Sequence, residues 1–277
     1  MNVFEQLSKN LQDSLAGLGI TSPTPVQQQV IPRLLAGENL LFQSETGTGK
    51  TFAYLLPLIN KLETLSDNHR VRIIVVAPTF ELASQINSEC KSITKHKSAL
   101  LIGGAPIKRQ IEVLKEKPEI IIGTAARLVE LIRLKKLKID GLFAIVFDET
   151  DRLVKKEALE DTSALRELFP AGCQIIACTA TINKQTKIFF ADAKNLVMPA
   201  EDVLKKRITH WAIYAETRDK IDTLRKFLHA EKPSKALIFT SRADQVENIY
   251  QKLRYKKIEC ECIHAKTDKQ KRKSTMD

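Results

Sequence analysis

The chain has 277 residues, 43% of them hydrophobic, and a formal net charge of +11. That length suits one large or two modest domains with a sizeable core, and the basic balance favours a polyanionic partner. No apolar run is long enough to span a bilayer, the first residues lack the basic-then-apolar pattern of a signal peptide, and an odd count of five cysteines without paired zinc spacing argues against a disulfide framework or a zinc site and points to reduced thiols in a cytoplasmic compartment.

In chain order, Phe4 to Leu18 shows helical apolar spacing, and Gly19 closes it. Ser22-Pro23-Thr24-Pro25 marks a turn, with Thr24 as the N-cap of a second helix. That helix carries Gln27, whose amide offers the donor and acceptor that an adenine edge requires; a plain polar face is the alternative. Asn39 to Gln43 reads as a short buried strand and Phe52 to Leu65 as a helix. Between them lies Ser44-Glu45-Thr46-Gly47-Thr48-Gly49-Lys50-Thr51, the P-loop arrangement, with Ser44 standing where the general pattern has glycine. Gly47 and Gly49 allow a tight turn whose N–H groups face phosphate oxygens. Lys50 would reach the β- and γ-phosphates, and Thr51 would ligate Mg²⁺.

Further strands are predicted at Val71–Ala77, Leu100–Ile102, Glu119–Thr124, Leu142–Phe147 and Gln174–Cys178, with helices at Glu81–Ile93 and about Ala126–Leu134. Strands alternating with helices predict an α/β fold with a parallel sheet, in which functional groups gather beyond the carboxyl ends of the strands. Pro78-Thr79, Thr124, Asp148-Glu149 and Thr179-Ala180-Thr181 all fall at such ends. Asp148, after four apolar or aromatic positions, is the second candidate Mg²⁺ ligand, and Glu149 is placed to orient or deprotonate an attacking water. The alternative is an acidic turn that caps the next helix.

Asn195 to Thr209 reads as a boundary, dividing the chain into domains 1–200 and 201–277. A second α/β pattern follows: strands at His210–Ala215, Ala236–Thr240 and Glu259–His264, and helices at Arg218–Leu228 and Asp244–Tyr255. Three strands make about half a domain of ordinary size. The last stretch is basic, with Lys266, Lys269, Lys271, Arg272 and Lys273.

Assembled, these residues resemble the DEAD-box ATP-dependent RNA helicases along essentially the whole chain. Gly19 to Gln27 resembles the family's Q motif, which implies that Gln27 reads adenine and makes Phe4 a candidate for the upstream aromatic. Ser44 to Thr51 resembles motif I, Pro78 to Ala83 motif Ia, Gly103-Gly104 the glycine pair and Thr124 to Leu128 motif Ib. Asp148 to Asp151 resembles motif II, Thr179 to Thr181 motif III and Leu237 to Arg242 motif IV. The fold implied is a P-loop RecA-like domain followed by an incomplete second RecA-like domain. The activity implied is RNA-stimulated ATP hydrolysis with Mg²⁺, coupled to local separation of RNA duplexes. RNA is implied to be gripped by its backbone, with little sequence preference, at Thr79, Gly104, Thr124 and Arg127 and, in the second domain, at Thr240, Ser241 and Arg242. Asp151, Thr179 and Thr181 are implied to couple the two motifs they sit in.

The departures from the family are Phe80 for arginine, Ala125-Ala126 for Pro-Gly, Thr150 for alanine and Thr179 for serine. No sequence like the family's motifs V and VI, which carry phosphate-stabilising arginines, occurs in the 277 residues. A severely impaired ATPase is therefore expected, with a noncatalytic nucleotide-dependent RNA- or partner-binding module as the alternative.

Overall fold

A computed structural model describes residues 2–45, 47–65, 70–198, 209–264 and 267. Thr46 of the P-loop and the basic residues Lys266, Lys269, Lys271, Arg272 and Lys273 lie outside the described residues. The chain divides into two compact units, Met1–Leu204 and Lys205–Asp277.

The first unit is built on one seven-stranded sheet, β1 (Leu40–Gln43), β2 (Ile73–Val76), β3 (Ser98–Leu101), β4 (Ile120–Gly123), β5 (Ala144–Phe147), β6 (Gln174–Thr179) and β7 (Lys194–Val197), in the order β3-β4-β2-β5-β6-β1-β7. Every pairing is parallel. The central strands are β-branched and buried on both faces, as helix-covered parallel strands must be. Alternation along each strand sorts their side chains into two cores. Ile73, Val75, Ala144, Val146, Ile176 and Cys178 share one face with helices α1 (Lys9–Gly17), α2 (Pro25–Leu35), α3 (Lys50–Leu62) and α4 (Phe80–Ile93). Ile74, Val76, Ile145, Phe147 and Ala177 face the other way, toward α6 (Ala125–Arg133) and α8 (Lys156–Glu167).

Several elements differ from the sequence expectation. The first predicted helix is two pieces, a 3₁₀ turn at Val3–Gln6 and then α1. Ser8 breaks the run because its side chain caps α1 by accepting from Leu11 N, and its own N–H bonds to Asn60 Oδ1 at 2.6 Å. Leu18, expected on the apolar face, is exposed. The reading had no helix at α5 (Ile107–Lys115), α7 (Thr150–Leu153), α8 or α9 (Lys184–Phe189). These bury few residues outright, Gln110 alone in α5 and Thr162 with Leu165 in α8, although Ile107, Ile111 and Leu114 of α5 lie at helical spacing and pack partly buried on the second core. The stretch read as a boundary from Asn195 begins inside β7, whose side chains are mostly exposed and which joins the sheet through its backbone, Lys194 N–H bonding Asn39 O and Met198 N–H bonding Gln43 O.

The second unit contains α10 (Lys220–Glu231) and α11 (Ala243–Tyr255), matching the two predicted helices. Its three predicted strands are corrected: among the described residues none forms a ladder. Leu237 and Phe239 are exposed at 87% and 89%. A strand exists only by pairing, and no neighbour pairs with these runs among the described residues. Trp211 stacks edge-on against Phe227 with ring centroids 5.6 Å apart. Across the described residues of both units, no helix is long and apolar enough to cross a membrane.

Candidate active site

The P-loop follows β1 directly. Gly47 and Gly49 have φ of 76° and 88°, the left-handed region open to glycine. At Gly49 a Cβ would also lie 2.6 Å from Gln27 Nε2, so a side chain there would displace the Gln27 amide. Lys50 opens α3 and donates to the carbonyl oxygens of Ser44 at 2.8 Å and Glu45 at 2.6 Å, so its ammonium lies against the loop backbone. Thr48 Oγ1 donates to Glu45 O at 2.7 Å and lies 2.7 Å from Ser44 Oγ. Ser44 thus braces the loop through a hydroxyl that the glycine of the general pattern lacks. Thr51 sits in the first turn of α3, where the helix N-terminus adds positive potential.

Gln27 is buried and belongs to a reciprocal capping box with Thr24: Thr24 N–H donates to Gln27 Oε1 at 2.9 Å, and Gln27 N–H to Thr24 Oγ1. Its Nε2 donates to Gly49 O at 3.2 Å, which ties α2 to the P-loop. One amide proton and one acceptor position remain on the side chain. Phe4 is buried in the core beside the helices of that face.

The strand order supplies the second half. β6 lies between β1 and β5, so the ends carrying the P-loop, Thr179 and Asp148 are neighbours. Asp148 is 4% exposed and accepts from Tyr54 Oη at 2.9 Å, from Cys178 Sγ at 3.1 Å and from Glu149 N–H at 2.8 Å. Burial raises its pKa, opposed by those three bonds and by the Lys50 charge. Burial likewise pushes the Tyr54 and Cys178 groups well up, with the Asp148 charge adding to it. The hydroxyl of Thr51 and the carboxylate of Asp148 are hard oxygen donors, and a buried carboxylate at a phosphate loop is the donor chemistry Mg²⁺ requires.

Glu149 adopts φ 49°, ψ 52°, a left-handed conformation uncommon outside glycine and of the kind that collects at functional sites. Its carboxylate pairs with Arg152 at 2.9 Å. No acidic side chain caps α7, contrary to the bland reading of this turn. Thr179 Oγ1 donates to Asp151 Oδ1 at 2.6 Å and accepts from Thr181 N–H at 3.1 Å, joining the ends of β5 and β6. Thr150 is fully buried, and its hydroxyl has no partner among the described residues.

The first-unit residues expected to touch RNA lie beyond the neighbouring strands β3, β4 and β2. Thr79 caps α4 through Leu82 N–H. Gly104 has φ 76°. Thr124 Oγ1 accepts from Gly103 N–H at 3.3 Å, and Arg127 donates to Ala105 O at 3.1 Å while pairing with Glu130 at 2.9 Å. Thr124 and Arg127 therefore shape the glycine loop, and the Arg127 side chain is only 10% exposed. Buried Gln110, which sequence reasoning missed, pins the same loop through both backbone groups of Ile102. Phe80, where the family has arginine, is exposed. In the second unit Thr240 Oγ1 donates to Arg242 O, Ser241 lies between them, and Arg242 forms a two-pronged pair with Asp244 at 3.0 and 2.7 Å. Cys262, expected to serve no metal, gathers with Glu247 and His264 so that one ligand atom of each lies within 4.8 Å of the others.

Tyr54 and Cys178 were not singled out from sequence. No sequence signal marks Cys178: it lies beside Asp148 because the β5–β6 register sets Phe147 opposite Ala177.

Comparison with known proteins agrees with this geometry. Residues 24–189 match the DEAD/DEAH box helicase family, and residues 219–277 match the helicase conserved C-terminal domain. The chain is 36% identical to the DEAD-box ATP-dependent RNA helicase CshC of Bacillus cereus, covering 99% of this chain and 71% of that one. It is 32% identical to CshA of the same species, covering the whole chain but 54% of CshA, so it spans about half the length of that relative. In fold it is similar to S. cerevisiae Dbp5 bound to RNA and ADP BeF3, with a TM-score of 0.80 at 21% identity, over 99% of this chain and 72% of that one.

Proposed function

Because this chain belongs to the DEAD/DEAH box helicase family, we propose that it is the ATP-binding and RNA-binding part of an ATP-dependent RNA helicase, acting in the cytoplasm on RNA with little sequence preference. The observation that carries this reading is the placing of β6 between β1 and β5. It gathers the P-loop, the Asp148-Glu149 turn and the Thr179–Asp151 link at one end of the sheet.

In this reading the loop amides and Lys50 bind the nucleotide phosphates, for which Lys50 exchanges its bonds to Ser44 O and Glu45 O. Thr51 and Asp148 would hold Mg²⁺, which would neutralise charge on the phosphate oxygens. Glu149 orients the attacking water and takes its proton, released from Arg152 by a small rotation. Gln27, fixed by the capping box, presents its remaining amide proton and acceptor to the adenine edge. The Thr179–Asp151 bond carries a shift at the phosphate side to the end of β6. Thr79, Gly104 and Thr124 offer backbone and hydroxyl contacts to RNA phosphates, with Arg127 holding the loop. Thr240, Ser241 and Arg242 contribute from the second unit, where Arg242 must exchange Asp244 for phosphate.

The test is ATP turnover with and without single-stranded RNA, beside Lys50→Ala. RNA-stimulated turnover that disappears in Lys50→Ala is the expected result for the helicase reading; turnover untouched by the substitution overturns it. The alternative is a noncatalytic nucleotide-dependent RNA- or partner-binding module. Lys50-dependent nucleotide binding with no stimulated turnover would select that module.

A further inference from the structure

The function proposed above gives no task to Tyr54 or Cys178, yet both direct their only polar atom at the same carboxylate. Tyr54 Oη meets Asp148 Oδ2 at 2.9 Å, and Cys178 Sγ meets Oδ1 at 3.1 Å. Both residues are completely buried. A phenylalanine and an apolar side chain would fill those two core positions without burying a hydroxyl and a thiol. A buried tyrosine hydroxyl needs a partner, and here the partner is the candidate metal ligand.

We propose that Tyr54 and Cys178 are positioning residues that lock the Asp148 carboxylate in the one rotation from which it holds Mg²⁺, an inference that rests on the function proposed above. A carboxylate on a strand end turns easily about its last torsion, which has broad, two-fold minima. Donors on both oxygens remove that freedom, because any rotation breaks bonds to separate elements, α3 and β6. A carboxylate has about four acceptor positions. Oδ1 has two donors, Cys178 Sγ–H and Glu149 N–H, and Oδ2 has one, Tyr54 Oη–H. The position left over is on Oδ2, which leaves one acceptor site for a metal or its water.

The helix adds a second consequence. Tyr54 follows Lys50 by four residues and Thr51 by three, the spacings that share a helix face. One turn of α3 therefore carries the phosphate lysine, the metal hydroxyl and the clamp on the metal carboxylate. Movement of that turn on binding phosphate reaches Asp148 through a single hydrogen bond.

The experiment uses the 277-residue chain and Mn²⁺ as the probe. Free Mn²⁺ is counted by electron paramagnetic resonance in the presence of saturating ADP, and the affinity for a fluorescent ADP is measured separately in EDTA. Tyr54→Phe keeps the ring and removes the hydroxyl; Cys178→Ala removes the thiol, and Cys178→Ser restores a donor. Partners that orient a metal ligand typically contribute roughly 10–100-fold to metal affinity, so Tyr54→Phe is expected to weaken Mn²⁺ binding by about tenfold. Cys178→Ala is expected to weaken it less, as a thiol is the weaker donor, and Cys178→Ser to recover it. ADP affinity in EDTA stays unchanged in all three. A merely structural role would lower the melting temperature and leave Mn²⁺ affinity at the wild-type value. Tyr54→Phe and Cys178→Ala both binding Mn²⁺ within about twofold of wild type overturns the inference alone, with the tenfold expectation as reference. Wild-type chain that takes up no Mn²⁺ with ADP overturns the proposed function, and this inference with it. Should either substitution prevent folding, the other decides.

Discussion

Ile73–Val76 and Ala236–Thr240 are near equals as sequence: short, apolar and bounded by turn residues. The first is the buried strand β2, paired with β4 on one side and β5 on the other. The second forms no ladder among the described residues, and its Leu237 and Phe239 are exposed. The difference lies outside both segments. In the first unit, helices on both faces and strands on both edges take up the apolar side chains and the backbone groups. In the second, α10 buries none of its residues, and Leu253 is the one buried apolar side chain among the described residues. An apolar run is a request for partners, and the fold decides whether it is met.

Hydrogen exchange sharpens this contrast most. Amides of Ile73–Val76 should open only with global unfolding, whereas those of Ala236–Thr240 should exchange almost freely, a difference on the order of 10³-fold or more in rate. Equal protection in the two segments would break the comparison. Next in size is a pair of phenylalanines. Phe147 packs edge-on against Phe169 and Phe190, with centroids 6.3 and 5.2 Å apart. Phe147→Ala should destabilise the first unit by about 3–5 kcal/mol, and Phe239→Ala should change stability by less than about 0.5 kcal/mol, both read by urea denaturation. Trp211, the single tryptophan, reports on the second unit alone, so its fluorescence should not follow the circular dichroism transition of the sheet.

The smallest effect lies at Thr150. Its partnerless buried hydroxyl carries a desolvation penalty that valine, of nearly the same shape, does not. Thr150→Val should therefore raise stability by about 1 kcal/mol in the same denaturation experiment. A loss of stability would mean that the hydroxyl is bonded in solution.

Much of the site was legible because its parts are local. A glycine-bearing loop between strand and helix, a carboxylate ending an apolar strand and a threonine N-cap each need only a few adjacent residues to be recognised. The N-cap at Thr24 is visible in the sequence, and the structure adds that Gln27 closes a capping box with it and reaches across to Gly49. The Arg127–Ala105 and Gln110–Ile102 bonds were out of reach, since each joins a helix to a loop whose path no periodicity reports. The helices α5 and α8 were missed although Ile107, Ile111 and Leu114 of α5 keep helical spacing in the sequence, as few residues of either helix are fully buried.

The sequence by itself determined that the first unit is a parallel α/β sheet with a phosphate loop at the carboxyl end of its first strand, because glycine placement, charge and β-branched runs act over neighbouring residues. Only the tertiary structure decided that β6 would slide between β1 and β5. That choice sets Cys178 beside Asp148, turns Tyr54 toward it and brings Thr179 onto Asp151. Strand order is a property of how buried faces and backbone groups are shared across the whole sheet, and no single stretch of chain contains it.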